Sequence, residues 1–567
     1  MKNSILILVI SYLTFFCSCS KEKLNPNQGG NFKSNILGIV TDEFNMPVKG
    51  ASIIFNGVVN GTDKNGIYVF NDVDVNSFIN LITIRKIGYF DTYRSFNVQK
   101  ASTLQLRNIL LKKEFKQSFQ TATGGSISGN NYEIKFPADA IIMESTELTY
   151  TGQVNVAVKY LNPDDNATYD EMPGELTGIT SSNTITKLST FGMLIVELES
   201  PSGQKLQIKS GKEAEISVKA PASSSIGVPN TVPLWYFDVT NAYWKEEGSA
   251  ELINGRYVGK VAHFSCWNYD VKLPSIILKG RVLDQHGNPL NCNIGFTAPG
   301  EYGGHGSTDY DGNFSGRVSK DKLLDAYIGS YGNCPTYSSF KTGPFSEDFT
   351  LPDIFVDIVP DQYLNLSGSY FDCSGKAIQK GYLIIDQDPL IRYFPINNGQ
   401  ASVNIENCIK PAKTIVTVVD MLNLQESDPI NLNGSGTYNL GIRFACGNTL
   451  DYISIKNVYS TVNKVFTDFY LNGESNEKNL IWGDYKYFRF DDSNNTPNTF
   501  IKGHFPIKEA QNSESSYTIK YNLISGWVNI TQGGKTGDTI LGDFNIIMKN
   551  QKTQELELFT GSFQKKI

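Results

Sequence analysis

Apolar and polar residues alternate along most of this chain in short runs, and each run stops at a polar turn. YEIKF at 132–136, GQVNVAVKYL at 152–161, SYTIKYNLI at 516–524, DFNIIMKN at 543–550 and ELELFTGSF at 555–563 all follow this pattern. A period of two places successive side chains on opposite faces of a strand, so such runs predict half-buried β-strands. The interruptions are rich in Gly, Asn, Asp, Ser and Pro, the residues that tight turns require. No heptad run or long amphipathic helix stands anywhere in the sequence. The pattern predicts an all-β protein.

Part of the pattern repeats. LGIVTDEFNMPVKGASII at 37–54 matches KGRVLDQHGNPLNCNI at 279–294, with Gly38, Val40, Asp42, Pro47 and Val48 against Gly280, Val282, Asp284, Pro289 and Leu290. SGSYFDCSGKAIQKGYLI at 367–384 matches more loosely, through Gly368, Tyr370, Asp372, Ala377 and Ile378. Each copy reads strand, turn, strand. A second element, Thr62-Asp63-Lys64-Asn65-Gly66 before IYVF, corresponds to Thr308-Asp309-Tyr310-Asp311-Gly312 before NF, and predicts a tight hairpin. Together these residues resemble the carboxypeptidase regulatory-like domain. That resemblance covers 35–113, 276–357 and, most weakly, 362–445. It implies transthyretin-like β-sandwiches of about seven strands each, as in Ig-like folds, and an accessory rather than a catalytic role.

Residues 119–272 differ. Gly124-Gly125, Trp235 and Trp244 in LWYFDVTNAYW, and HFSCWNYD at 263–270 resemble the extracellular module of the cartilage intermediate layer protein type, which implies a non-catalytic surface module. The tail, 447–567, reads as a further β-sandwich or partial barrel. Its GDFNIIMK and LFTGSF segments resemble C-terminal modules of Bacteroidetes lipoproteins. The whole chain is thus expected to be a series of tandem sandwiches.

The N-terminus reads as an address. Lys2 precedes an apolar run of twelve residues, Ile5–Phe16, the right length for a signal peptide and too short to span a bilayer. Phe16-Cys17-Ser18-Cys19 resembles a lipobox, and Cys19 fits as the lipidated residue because the small Ser18 precedes it. Residues 1–18 are the expected signal peptide, and 19–34 the lipidated Cys with a flexible tether. Ser20-Lys21-Glu22-Lys23 resembles the export signal of Bacteroidetes surface lipoproteins. The expected location is the outer membrane, lipid-anchored and facing outward.

Composition narrows the chemistry. With 57 acidic against 50 basic residues the net charge is −7, which argues against nucleic acid as a partner. None of the four His is followed by Glu three residues later, and neither HExxH nor a phosphate-cradling loop occurs. No metal or other cofactor is expected, and no catalytic residue is assigned. Counted as an EF-hand from Asp309, the sixth and twelfth positions hold Phe314 and Lys320 in place of Gly and Glu, so only a calcium ion bound in a turn stays open.

Trp235, Trp244 and Trp267 are candidates for an aromatic platform that stacks on sugar rings, or alternatively for core. In an exported chain, Cys292, Cys334, Cys373, Cys408 and Cys446 are disulfide candidates, paired as 292–334 and as 373–408 or 408–446 within modules. The expected function is non-catalytic binding, adhesion or scaffolding at the cell surface, with an unknown extracellular protein or glycan as partner. The alternatives are an accessory glycan- or protein-binding component of a nutrient-uptake system, and a glycoside hydrolase with an unrecognised carboxylate pair.

Overall fold

The computed structural model describes residues 30–98, 100–165, 167–221, 227–299, 301, 305–329, 336–357, 363–388, 390–406, 411, 413–446, 452–457, 464–466, 469–474, 477–483, 486–492, 494–512, 521–551, 554 and 556–567. Among them the only helix is Thr168–Glu171, and all other regular structure is β. No helix among these residues is long and apolar enough to cross a membrane.

One seven-strand arrangement occurs three times. In the first copy Asn31–Asp42 lies between Ile67–Asn76, which is antiparallel to it, and Thr103–Leu110, which is parallel. A facing sheet runs in the order Val58–Gly61, Ser52–Phe55, Asn80–Arg85, Thr92–Phe96. The alternation read from sequence is what closes the sandwich. Ile53, Phe55, Ile82 and Ile84 point inward from the second sheet against Ile36, Val40, Tyr68 and Phe70 of the first.

The second copy centres Ser275–Asp284 between Asn313–Ser319 and the parallel pieces Phe349–Thr350 and Ile354–Val356. The third centres Tyr363–Phe371 between Gln400–Glu406 and the parallel Gly436–Phe444. Each has its own facing sheet and its own apolar core.

The middle block is a thirteen-stranded sheet that wraps a core including Phe136, Phe191, Leu194, Tyr257, Trp267 and Tyr269. The tail is a nine-stranded sheet, with Tyr521–Gln532, Thr539–Asn550 and Leu556–Lys566 adjacent and antiparallel. Its core is drawn entirely from the tail, with Phe488, Phe490, Phe544 and Phe563 among its members.

The modules do not simply follow one another. The first sandwich packs Leu37, Ile67 and Val69 against Tyr382 and Val419 of the third, far away in sequence. Polar contacts ring this patch. Tyr382 Oη donates to Asp63 Oδ2, Asn65 Nδ2 donates to Tyr382 Oη at 2.9 Å, and Lys64 pairs with Glu426 at 2.8 Å.

The matching hairpin of the second sandwich docks in the same manner. Its Tyr310 donates through Oη to the Tyr393 carbonyl at 2.9 Å, and its backbone N–H reaches the Thr103 carbonyl at 3.3 Å. The middle block joins the first sandwich by an apolar seam of Phe90, Ile109 and Leu111 with Leu188, Trp235 and Trp244. It joins the second through Lys187, whose ammonium pairs with Glu301 at 2.8 Å while almost fully buried. These four tandem modules pack into a cluster, because turn residues that look solvated in sequence are docking groups.

Candidate functional site

A cavity of about 1110 Å³ lies where the four modules meet. The first sandwich contributes Arg94 and Arg107, the middle block Asp170 and Glu175, the second sandwich Asp309 and Arg317, and the third Arg392. Local structure fixes each group. Arg94 stands on the strand Thr92–Phe96, and Arg317 on Asn313–Ser319.

Glu175 follows the short helix through Met172-Pro173-Gly174. There Gly174 takes φ +61°, and its N–H bonds the Tyr93 carbonyl at 2.8 Å. A Cβ on Gly174 would sit 2.5 Å from the Phe237 ring, so the turn requires glycine on both conformational and steric grounds. Beneath it, the Lys187–Glu301 pair also receives the Ser319 hydroxyl, which donates to Glu301.

The electrostatics of the cavity are mixed. Burial pushes the Glu175 carboxyl up, opposed by the guanidinium groups of Arg94 and Arg317. Arg107 donates to Asn45 Oδ1 at 2.6 Å, and Arg392 to Gln387 Oε1 at 3.2 Å. Neither Arg94 nor Glu175 has a side-chain hydrogen bond or ion pair among the described residues. Such a surface can receive a polar, charged ligand through guanidinium, carboxylate, amide and hydroxyl groups.

The tryptophan platform is corrected. Trp235, Trp244 and Trp267 are all at 0% exposure. Trp267 fills the core of the middle block, while Trp235 and Trp244 fill the seam with the first sandwich. Their indole groups are held inside: Trp235 Nε1 donates to the Asp270 carbonyl at 3.1 Å and Trp267 Nε1 to the His263 carbonyl at 2.9 Å. No face of these rings is open to a sugar. His263 lies against Tyr236 and Trp267, and the buried Cys266 thiol is pushed up by desolvation.

The disulfide joins Cys373 to Cys446, 73 residues apart, and replaces both expected pairings, 373–408 and 408–446. The reason is topological. Tyr363–Phe371 and Gly436–Phe444 are parallel neighbours, so the residues just past their ends arrive side by side. Cys292 is buried beside Thr308, with the hydroxyl 3.8 Å from its sulfur. Cys334, Cys408 and the lipidation candidate Cys19 lie outside the described residues.

The calcium candidate is a hairpin. Asp309 Oδ1 accepts the N–H groups of Asp311 at 2.9 Å and Asn313 at 2.8 Å, and its two oxygens each take Asn313 Nδ2 at 3.0 Å. No group of three or more metal-ligating side chains occurs among the described residues. Sequence reasoning missed Arg94, Glu175 and Arg317. They come from three modules, and only the Pro173-Gly174 turn before Glu175 marks any of them locally.

No protein-family model matches the chain. A 107-residue stretch is 30% identical to mouse cartilage intermediate layer protein 2 and covers 19% of this chain. The chain spans only 9% of the length of that curated relative. Among solved structures it is similar to a streptococcal ancillary pilin, at 9% identity over 41% of this chain and 95% of the other, with a TM-score of 0.14. It is also similar to the major pilin subunit of Bacillus cereus, at 11% identity over 58% and 99%, with a TM-score of 0.12. A Bacteroides fragilis protein described as membrane-associated and of unknown function matches at 8% identity over 43% and 99%, with a TM-score of 0.13. At such TM-scores none of these likenesses bears on function.

Proposed function

We propose that this is a non-catalytic protein of the outer cell surface, held by a lipid at Cys19, that binds a ligand in the cavity between its modules. The observation that carries the reading is the cluster of four β modules around a cavity lined by both charged and apolar side chains. Rigid sandwiches hold their connecting segments in fixed positions, which suits recognition without chemistry. The lipobox-like Phe16-Cys17-Ser18-Cys19 and the polar tether after it supply the anchoring half of the proposal. One acyl chain binds a membrane only marginally, whereas two or more anchor a protein stably without a spanning helix.

Fractionation of cells expressing Cys19→Ala tests the anchor. The wild-type chain is expected in the outer-membrane fraction and accessible to protease on intact cells. The variant is expected in the soluble fraction. A variant that stays wholly in the membrane fraction overturns the lipid anchor. The mixture of charged, amide and apolar side chains in the cavity also favours the narrower reading of an accessory glycan-binding component of a nutrient-uptake system.

A further inference from the structure

We propose that the cavity binds an acidic oligosaccharide, one that carries carboxylate or sulfate groups, with Arg94 and Arg317 as the anion-binding residues and Glu175 as the charge that limits its affinity. The inference rests on the binding reading above and adds the ligand's chemistry.

The first observation is an imbalance of charge. The chain as a whole carries −7, yet the cavity collects the guanidinium groups of Arg94, Arg107, Arg317 and Arg392. Lys187 is neutralised by Glu301 and adds nothing. Of the three facing carboxylates, Asp309 is committed to its own hairpin. Its donors are neutral amides and leave its charge in place, so Asp170, Glu175 and Asp309 stand against four guanidinium groups, a surplus of one positive charge among the lining residues.

The second observation is that Arg94 is partly enclosed and has no hydrogen-bond or ion-pair partner among the described residues. A guanidinium presents a planar fork that matches a carboxylate or sulfate with two parallel hydrogen bonds. Enclosing its N–H donors without hydrogen-bond acceptors is unfavourable, and a bound anion relieves that cost. Arg94 and Arg317 both act on Glu175, which places the two guanidinium groups in one neighbourhood.

The third observation is size. At about 1110 Å³ the cavity exceeds the roughly 300–1,000 Å³ of ordinary small-molecule sites, so it is larger than a single small anion needs. The hydroxyl of Tyr327 lines the same space and complements sugar hydroxyl groups, while the Asn291 and Asn404 amides beside it already donate to the Thr308 carbonyl and to Tyr363 Oη. Leu104 and Leu106 offer apolar surface to the C–H faces of sugar rings.

The test is calorimetric titration of the full-length protein in detergent with three probes of matched length: an oligogalacturonate, a heparin-derived oligosaccharide and a neutral malto-oligosaccharide. At least one acidic probe is expected to bind, to weaken as salt is raised, and to be recovered unchanged. The neutral probe is expected not to bind. The preferred acidic probe tells carboxylate from sulfate.

Arg94→Ala and Arg317→Ala are each expected to lower affinity at least tenfold. Glu175→Gln is expected to raise it severalfold, a gain that a misfolded variant cannot produce. Failure of both acidic probes to bind, equal binding of the neutral one, or affinities unmoved by Glu175→Gln and Arg94→Ala overturns the proposal. None of these outcomes touches the anchor, which the fractionation of Cys19→Ala reads separately.

Discussion

An aspartate opens each signature turn of the three sandwiches, and its carboxylate acts alike every time. Asp42 Oδ1 accepts the N–H groups of Phe44 and Met46, both at 2.9 Å, and Asp63, Asp284, Asp309 and Asp372 do the same two and four residues on. Each pins the chain reversal by satisfying backbone donors that the strand ladder leaves over.

Asp270 is the contrasting case. It is wholly buried in the middle block, with Asn268 Nδ2 donating to Oδ2 at 2.6 Å and no partner for Oδ1. Desolvation raises its carboxyl well above the ordinary range. A folded-state value above the unfolded one, near 3.9, means that its contribution to stability is complete below that value and is lost as pH rises toward the folded value. Asp270→Asn keeps the acceptor for Asn268 and removes the buried acid. The variant is expected to be more stable than wild type at pH 8 by about 1–3 kcal/mol, the scale of an unsatisfied buried polar group, with the gap closing toward pH 4. Thermal unfolding across that range checks it, and a gap that widens toward acid contradicts it.

Among the elements, the tail carries the most exposed bet on a single pair. Lys478 on Glu477–Gly483 and Asp492, just past Lys486–Asp491, lie 3.8 Å apart, and both are at 0% exposure. Lys478 Nζ also donates to the carbonyls of Asn494 and Thr496, each at 3.2 Å, while Asp492 accepts the N–H groups of Asn494 and Ile501. The pair thus fixes the loop to Phe500. Lys478→Met is expected to destabilise the tail by about 3–5 kcal/mol, because it strands a buried carboxylate. Lys478→Met with Asp492→Leu is expected to recover part of that loss. Hydrogen exchange over 453–563 reads both, and unchanged protection in the single variant contradicts the assignment.

The strands and turns of 37–54, 279–294 and 367–384 were legible in the sequence because their causes are local: a period of two and an Asp that bonds its own turn. The third copy was legible least, since no Thr-Asp hairpin follows its Asp372. What faces the hairpins was not legible. Asn65 and Tyr310 are polar turn residues with nothing nearby in sequence to say that Tyr382 and Tyr393 await them. Trp235 and Trp244 were ambiguous for the same reason, since the seam they fill pairs them with Phe90, Ile109 and Leu111 of another module and leaves no periodic trace. The Cys373–Cys446 bond depends on a parallel strand pairing that spacing alone does not reveal.

At the scale of the whole molecule, closure of the cavity by the third sandwich depends on the first and third sandwiches sharing a face. Burial of Leu37, Ile67, Val69, Tyr382 and Val419 is what holds that face together. The Lys64–Glu426 pair at its rim is partly exposed and stabilises little by itself, about 0–1 kcal/mol. Its worth is as a reporter, since it brings together two residues 362 positions apart. The most direct measurement is zero-length carbodiimide cross-linking of the full chain, read by mass spectrometry, with Lys135–Glu215 as internal control. That control pair is also 2.8 Å apart and lies within one module. The expected result is a Lys64–Glu426 cross-link in monomeric protein at a yield comparable to the control. A control pair that cross-links while Lys64 and Glu426 do not would mean that the two sandwiches stand apart and that the cavity lacks the wall the third one supplies.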